Sequence, residues 1–541
     1  MPPPLSPRSD LETHSVENQP PERGDLDLWE GDPLLRRFTA AAGGGPHEAR
    51  LAAFAAWLGR ADTRAAARAA ERHPPELRAF DRAGRRLDEV AFHPAYHELL
   101  GAGIAAGYPS IAWEGGPGGH AAHAAMVYLQ SQVEPGVCCP MTMTHAAVPL
   151  LRAGGLPGHW LRGALSARYD PGSRPAREKA GLTFGMAMTE KQGGSDVRAN
   201  TTTAVRDGAG WRLTGHKWFC SAPMSDAFLT LAQAPGGLSC FLVPRWTPDG
   251  ARNAIEIQRL KDKLGNRANA SAEIEYRGAV ADLVGAEGDG VARILEMVHQ
   301  TRLDTAMAPA GLMRAALSEA LWWCDARRVF QKRLADQPLM AAVLADLALE
   351  TAAATALGLR VAQAFDTGDG PFARVAVALA KFLSNKRCIA VTYEAMECLG
   401  GAGYVEEGPM PMLYREAPLN SIWEGSGNVI CLDILRSLGR DPACAARLAE
   451  ELDAGRGRHP AYDAALAETF ARWPDLPEET EARWFAERVA TLLAASVLLR
   501  WQGGALAEAY AATRLGGEAG RIIGALSARI DTRLVLAEAG A

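Results

Sequence analysis

The chain has 541 residues, 48% of them apolar and 22% charged, which is an ordinary globular composition at a length that needs several domains. A formal charge of −6 over that length gives no bulk attraction to nucleic acid. No run of eighteen apolar residues and no charged-then-apolar leader pattern is present, so we expect a cytoplasmic protein without a membrane contact.

In chain order, residues 1–25 are Pro-rich and polar and read as a mobile tail, or as an arm lying on another surface. Residues 26–182 carry a helical pattern, for example in 48–58 and 120–132, broken by Gly and Pro. The texture changes near Gly181. Residues 183–288 hold short β-type runs at 201–205, 211–218, 228–232, 239–243, 255–260 and 272–276, with Asp207-Gly208 and Asp249-Gly250 as turns. We expect an antiparallel β domain there. In residues 289–440 the helices return and are long, at 291–329, 341–365 and 374–398, and a fourth after Asn428 completes a four-helix bundle. Residues 441–541 form an additional Ala-rich helical domain. The fold class is therefore α+β and mostly α. Its order of helices, strands and helices excludes a Rossmann fold, which needs strands and helices to alternate. Nine cysteines without a CxxC pair (138, 139, 220, 240, 324, 388, 398, 431 and 444) read as reduced, buried thiols, and no metal site is expected.

Three segments carry chemistry. In Met188-Thr189-Glu190-Lys-Gln-Gly193-Gly194-Ser195 the paired glycines let the backbone approach a ligand, and Thr189 and Ser195 offer hydroxyls. In Phe219-Cys220-Ser221 an aromatic ring lies beside a hydroxyl at the end of an expected strand, which suits a flat heteroaromatic. In Trp423-Glu424-Gly425-Ser426-Gly427-Asn428 free N–H groups at a helix start favour phosphate, with a carboxylate alongside.

Taken together in this order, the chain resembles the acyl-CoA dehydrogenase family over roughly residues 40–440. The family's flavin loop is similar to 188–196, its aromatic–x–Ser strand to 219–221, and its catalytic Tyr-Glu-Gly-Thr to Trp423-Glu424-Gly425-Ser426. Its Arg-x-x-Phe motif, which reaches a neighbouring subunit's FAD, appears as Arg327 and Phe330 with Gln337 downstream. Its Gly-Gly-x-Gly-aromatic turn begins at Gly400 and Gly401. The detailed wording of 139–144, 188–196, 260–267 and 421–428, with the helical extension, resembles an adaptive-response branch linked to DNA alkylation.

The resemblance implies an acyl-CoA dehydrogenase-like fold, FAD as cofactor and a homotetramer built as a dimer of dimers. It implies α,β-dehydrogenation of a small acyl thioester, with Glu424 as the base and hydride passing to flavin N5. Arg302 would contact acyl-CoA. In the family's Asp-x-x-Arg pattern the first position is here His299, read as a helix-surface residue. A second reading is a flavoprotein that binds double-stranded DNA with its redox chemistry vestigial. Residues 440–541 hold 12 Arg, no Lys and 15 Asp or Glu, which shows no conspicuous cation cluster for that role. A third reading, a peroxisomal oxidase, lacks a Ser-Lys-Leu terminus.

Overall fold

A computed structural model describes residues 7–540. Helices α1 (Pro33–Ala41), α2 (Glu48–Gly59), α3 (Ala61–Arg72), α4 (Pro94–Ala106), α5 (Gly119–Ser131), α6 (Cys138–Ala153) and α7 (Gly158–Ala164) form the first layer. α5 is buried on every side, and α6 nearly so. Between α3 and α4 lies a hairpin that the helical pattern did not suggest, β1 (Glu76–Phe80) and β2 (Arg86–Ala91), paired antiparallel. Arg86 ties it to the middle domain by donating to the carbonyl of Ile257 at 3.0 Å.

Strands β3 (Phe184–Ala187), β4 (Thr203–Asp207), β5 (Gly210–Ser221), β6 (Ala227–Ala234), β7 (Gly237–Pro244), β8 (Ile255–Leu260) and β9 (Ser271–Val284) make one seven-stranded sheet. The order β3-β6-β4-β5-β9-β7 returns on itself because β6 also pairs β7, and β8 adds to β9. Most ladders are antiparallel, while β3 and β4 run parallel to β6. The β4–β5 turn uses Gly208 at φ +59°, the backbone state for which a missing Cβ removes the steric cost.

The bundle consists of α8 (Gly290–Ala326), α9 (Pro338–Asp366), α10 (Gly370–Cys398) and α12 (Gly427–Arg440), with a short α11 (Met410–Glu416) before the last. α8 stops at Ala326, short of the expected 329, because Arg327 turns extended and opens a small hairpin, β10 (Arg328–Val329) and β11 (Lys332–Arg333). α10 starts where Asp369 accepts from the Phe372 N–H and Pro follows at its first turn. α9 is apolar and long enough to cross a membrane, but most of that stretch is buried against its neighbours. The extension packs α13 (Pro442–Asp453), α15 (Ala482–Trp501), α16 (Gly504–Arg514) and α17 (Thr532–Glu538) onto α9 and α10, with α14 (Pro460–Arg472) lying on α15 and α16. Its α15 is buried along most of its length and shares one continuous core with the bundle.

The segment read as a mobile tail lies strapped to the surface where it is described. Arg23 donates to Glu319 at 2.6 Å and to Ser318 at 2.9 Å on α8, and Asn18 exchanges two hydrogen bonds with the backbone of Arg328. Residues 1–6 lie outside the described residues. All nine cysteines are free and buried, as their spacing suggested.

Candidate active site

The turn before α12 is built on strain. Glu424 has φ +57° and Gly425 φ +103°, two consecutive left-handed residues. For a non-glycine residue that state costs about 1–3 kcal/mol and persists only where surroundings hold it. Here two buried cations do so. Lys381 of α10 donates to the carbonyls of Asn420 and Gly425, each at 2.9 Å, and Arg302 of α8 donates to the carbonyl of Glu424 at 3.3 Å. Trp423 adds a bond from its indole N–H to Asn420 at 2.7 Å.

The half-buried Glu424 carboxylate accepts from Thr301 Oγ1 at 2.7 Å. Burial raises its proton affinity above the ordinary carboxylate value, and Thr301, Lys381 and Arg302 only partly oppose this. Burial also brings Lys381 down to about 7. Arg302, expected to touch substrate, is committed elsewhere: its Nη1 donates to Asp433 at 2.6 Å, and Arg374 grips the other oxygen of Asp433. It acts as a clamp on the backbone of Glu424. His299, read as a helix-surface residue, stacks on Phe365 with ring centroids 4.6 Å apart. Burial, then Arg374 and Arg302, depress it to about 4, so it presents a neutral ring.

The glycine-rich loop after β3 folds back on itself. A Cβ on Gly194 would meet Thr189 Oγ1 at 2.4 Å, and Gly193 has φ +130°, so both positions need glycine. Asn200 holds the Met188 carbonyl at 2.9 Å, and the Trp218 N–H holds that of Thr189 at 2.8 Å, which pins Met188-Thr189 to β5. Beneath lies Glu190, paired with fully buried Lys217 at 2.9 Å. Burial opposes its ionisation, but hydrogen bonds from Thr202 and Thr201 and the Lys217 charge outweigh that and hold it at about 2. Ser195 is exposed at the loop's tip. At the strand end Phe219 stays 48% exposed, and Ser221 shares a 3.0 Å hydrogen bond with Ser271. Cys220, which we expected at the cofactor, points the opposite way, because adjacent strand side chains alternate; its thiol is buried in the β-domain core.

Met188 and Trp423 pack against one apolar cluster that includes Cys139, Met143 and Trp113. Burial lifts the Cys139 thiol to about 12, and Ser221, Lys263, Asn269 and Glu424 all lie within its electrostatic reach. The start of α6 therefore lies near both the Glu424 turn and the strand end. Sequence reasoning missed Thr301, Lys381 and Lys263. A lysine inside the apolar run 375–383 was the available signal for Lys381.

These residues fit FAD. The first turn of α12, at Ser426, Gly427 and Asn428, has no side-chain cap, so its N–H groups are open to an anion such as a pyrophosphate. The exposed Phe219 face and the Ser221 hydroxyl suit a flat polar ring. Two expected groups are not brought to this point. Arg327, Phe330 and Gln337 sit at the far end of α8, about 39 Å from Thr301 at 1.5 Å per residue. Phe330 tips the hairpin at φ +50° and is 89% exposed, with Gln337 donating to the Val329 carbonyl at 3.0 Å. Gly400 and Gly401 follow the end of α10 at the opposite end from Asp369, and a Cβ at either would meet nothing within 4 Å.

Comparison with known proteins places this geometry among others. Residues 18–171 match the adaptive response protein AidB N-terminal domain, 185–279 the acyl-CoA dehydrogenase middle domain, and 288–439 the acyl-CoA dehydrogenase C-terminal domain. The chain is 43% identical over 540 residues to the putative acyl-CoA dehydrogenase AidB of Escherichia coli (strain K12), covering 98% of this chain and 99% of that one. The structure of Caenorhabditis elegans ACDH-11 in complex with C11-CoA is similar at a TM-score of 0.83 and 26% identity, covering 96% and 97% of the two chains. The apo form of Bd2924 is similar at a TM-score of 0.81 and 29% identity, covering 89% and 99%.

Proposed function

Since the chain belongs to the acyl-CoA dehydrogenase family, with an N-terminal domain of the AidB type, we propose that it oxidises a small acyl thioester between its α and β carbons with Glu424 as the base. It is an FAD-dependent dehydrogenase-type oxidoreductase, and its thioester substrate, base and site residues are our reading. The observation that carries it is the Glu424 turn: a strained carboxylate-bearing turn clamped by two buried cations and joined through Cys139 to the Met188 and Ser221 side. The relative ACDH-11 is in complex with C11-CoA, which supports an acyl thioester as the substrate class.

When bound, FAD supplies the acceptor for the β-hydrogen as hydride. Glu424 takes the α-proton, and its raised proton affinity makes the carboxylate a stronger base than an exposed one. Thr301 fixes which oxygen is presented, because its hydroxyl already occupies Oε2. Met188, Thr189, Ser195 and Ser221 would line the flavin, with Phe219 against its face; Trp423, Gly425, Ser426 and Asn428 would border it. Arg327, Phe330, Gln337, Gly400 and Gly401 lie too far along their helices to serve the same chain's Glu424 and would complete the flavin site of a second copy, as a homotetramer built as a dimer of dimers would provide. The test is anaerobic mixing of FAD-loaded protein with acyl-CoAs: flavin absorbance falls for a substrate, and a full panel without bleaching refutes the proposal.

The DNA-binding reading gains nothing specific from the fold. In the extension Arg447, Arg456, Arg472, Arg488, Arg500, Arg514 and Arg529 are all paired to carboxylates of the same chain. The nine buried free thiols support a reducing, cytoplasmic setting.

A further inference from the structure

One turn of α8, from Thr301 to Thr305, holds both groups that grip Glu424, and neighbouring helices tie that turn from several sides. From α12, Asp433 binds Arg302. From α10, Asn385 donates to the Thr305 carbonyl at 2.8 Å. From α6, Thr142 Oγ1 donates to Asp304, and from α5, His123 Nε2 meets the other oxygen of Asp304 at 2.8 Å. His123 and Asp304 are essentially inaccessible to solvent.

The partners of His123 determine its protonation at Nδ1. Its Nδ1 lies 2.8 Å from the Tyr108 carbonyl, which can only accept, so Nδ1 carries a hydrogen. Its Nε2 lies against Asp304, whose other oxygen accepts from Thr142, so both ring nitrogens and both carboxyl oxygens have partners. His145 stacks on the His123 ring at 3.7 Å and 10°, and is neutral: burial holds it well below the usual histidine range, and its Nδ1 accepts the Trp113 N–H at 3.0 Å.

We propose that His123 and Asp304 are positioning residues for Glu424, a buried hydrogen-bonded pair that fixes the α8 turn bearing Thr301 and Arg302. The pair rests on the reading of Glu424 as the base. Removing one partner of such a buried pair leaves a polar group without its hydrogen bond, whereas an isosteric partner keeps the packing. The groups facing Glu424 are Thr301, Arg302 and Asp304 from α8, Lys381 from α10 and Cys139 from α6; Asp304 is the one that favours the protonated carboxyl among those acting on it. The pair itself is faced by Tyr108, Thr142, Cys138, His145 and His120.

The experiment uses FAD-loaded protein, with Asp304→Asn and His123→Phe beside the wild type. Nitrogen-15 histidine spectra are expected to show one ring hydrogen-bonded at both nitrogens, absent from His123→Phe and with its Nε2 signal displaced in Asp304→Asn. An unbonded Nε2 on His123, or stoichiometric zinc in elemental analysis, overturns the pair. Infrared titration of Glu424, isolated by subtracting Glu424→Gln, is expected to move down in Asp304→Asn, since the Asp304 charge that favours the protonated carboxyl has gone. An unchanged midpoint overturns the coupling. With an acyl-CoA that reduces the flavin, Asp304→Asn is expected to slow reduction by about tenfold at saturation with little change in KM. Equal saturating rates overturn the positioning role. If no acyl-CoA reduces wild-type flavin, the function reading fails, while the two spectroscopic arms still decide the pair.

Discussion

Glu424 combines a backbone conformation that costs energy with a carboxylate whose burial costs more, and both point to function. A buried acid with raised proton affinity is most stabilising to the fold while protonated, below its unfolded value, and that contribution is lost as pH rises through its folded value. Glu424→Gln is therefore expected to melt about 1–3 °C above wild type at pH 8, the gap closing in acid, by differential scanning calorimetry. The same substitution should retain FAD and cut flavin reduction by about a thousandfold. Because only the ionised form accepts a proton, the wild-type rate of reduction should rise with pH through a midpoint above the usual carboxylate range; a rate falling with pH would contradict the assignment. Glu424 and its glycines were legible in the sequence because their spacing is local. Thr301 and Lys381 were not, since they meet the Glu424 turn only when the helices pack. Cys220 misled because a motif names a segment, whereas the strand's alternation decides which of its side chains faces the ligand.

Among elements, the long helices and the turn glycines were readable because periodicity and special φ angles leave direct marks. The β1–β2 hairpin and β3 were not. In the hairpin the apolar residues are few and one strand is largely exposed, so no strong alternation appears. β3 has only four residues, and its parallel partner β6 lies about forty residues on. Two elements carry predictions. The buried Glu190–Lys217 pair anchors the loop of Thr189, so Lys217→Met, leaving the acid unpaired, is expected to cost about 3–5 kcal/mol in denaturant unfolding. With Glu190 held at about 2, its stabilisation is present above its unfolded value and is lost as pH falls toward 2; Glu190→Gln should show a shallower acid transition. The β10–β11 hairpin carries the exposed Phe330 with little of its own fold at stake. Phe330→Asp is expected to leave the melting of the subunit unchanged while lowering both flavin content and the sedimentation coefficient; full flavin retention would separate the hairpin from the cofactor.

At the scale of the whole molecule, the β domain and the bundle frame the site, and the extension closes the bundle's outer face through a shared core. Its arginines are largely spent on internal pairs, so retention of duplex DNA is expected to be weak even at low salt. Steeply salt-dependent retention would show a cationic face formed only between subunits. The central claim is that Glu424 serves a flavin-dependent oxidation of an acyl thioester. The measurement that tests it most directly is anaerobic stopped-flow mixing of FAD-loaded protein with acyl-CoAs of graded length and branching, wild type beside Glu424→Gln. Loss of flavin absorbance in wild type with at least one thioester, and near silence in the variant, is the predicted result; an oxidised flavin across the whole series, or equal bleaching in both proteins, would contradict it.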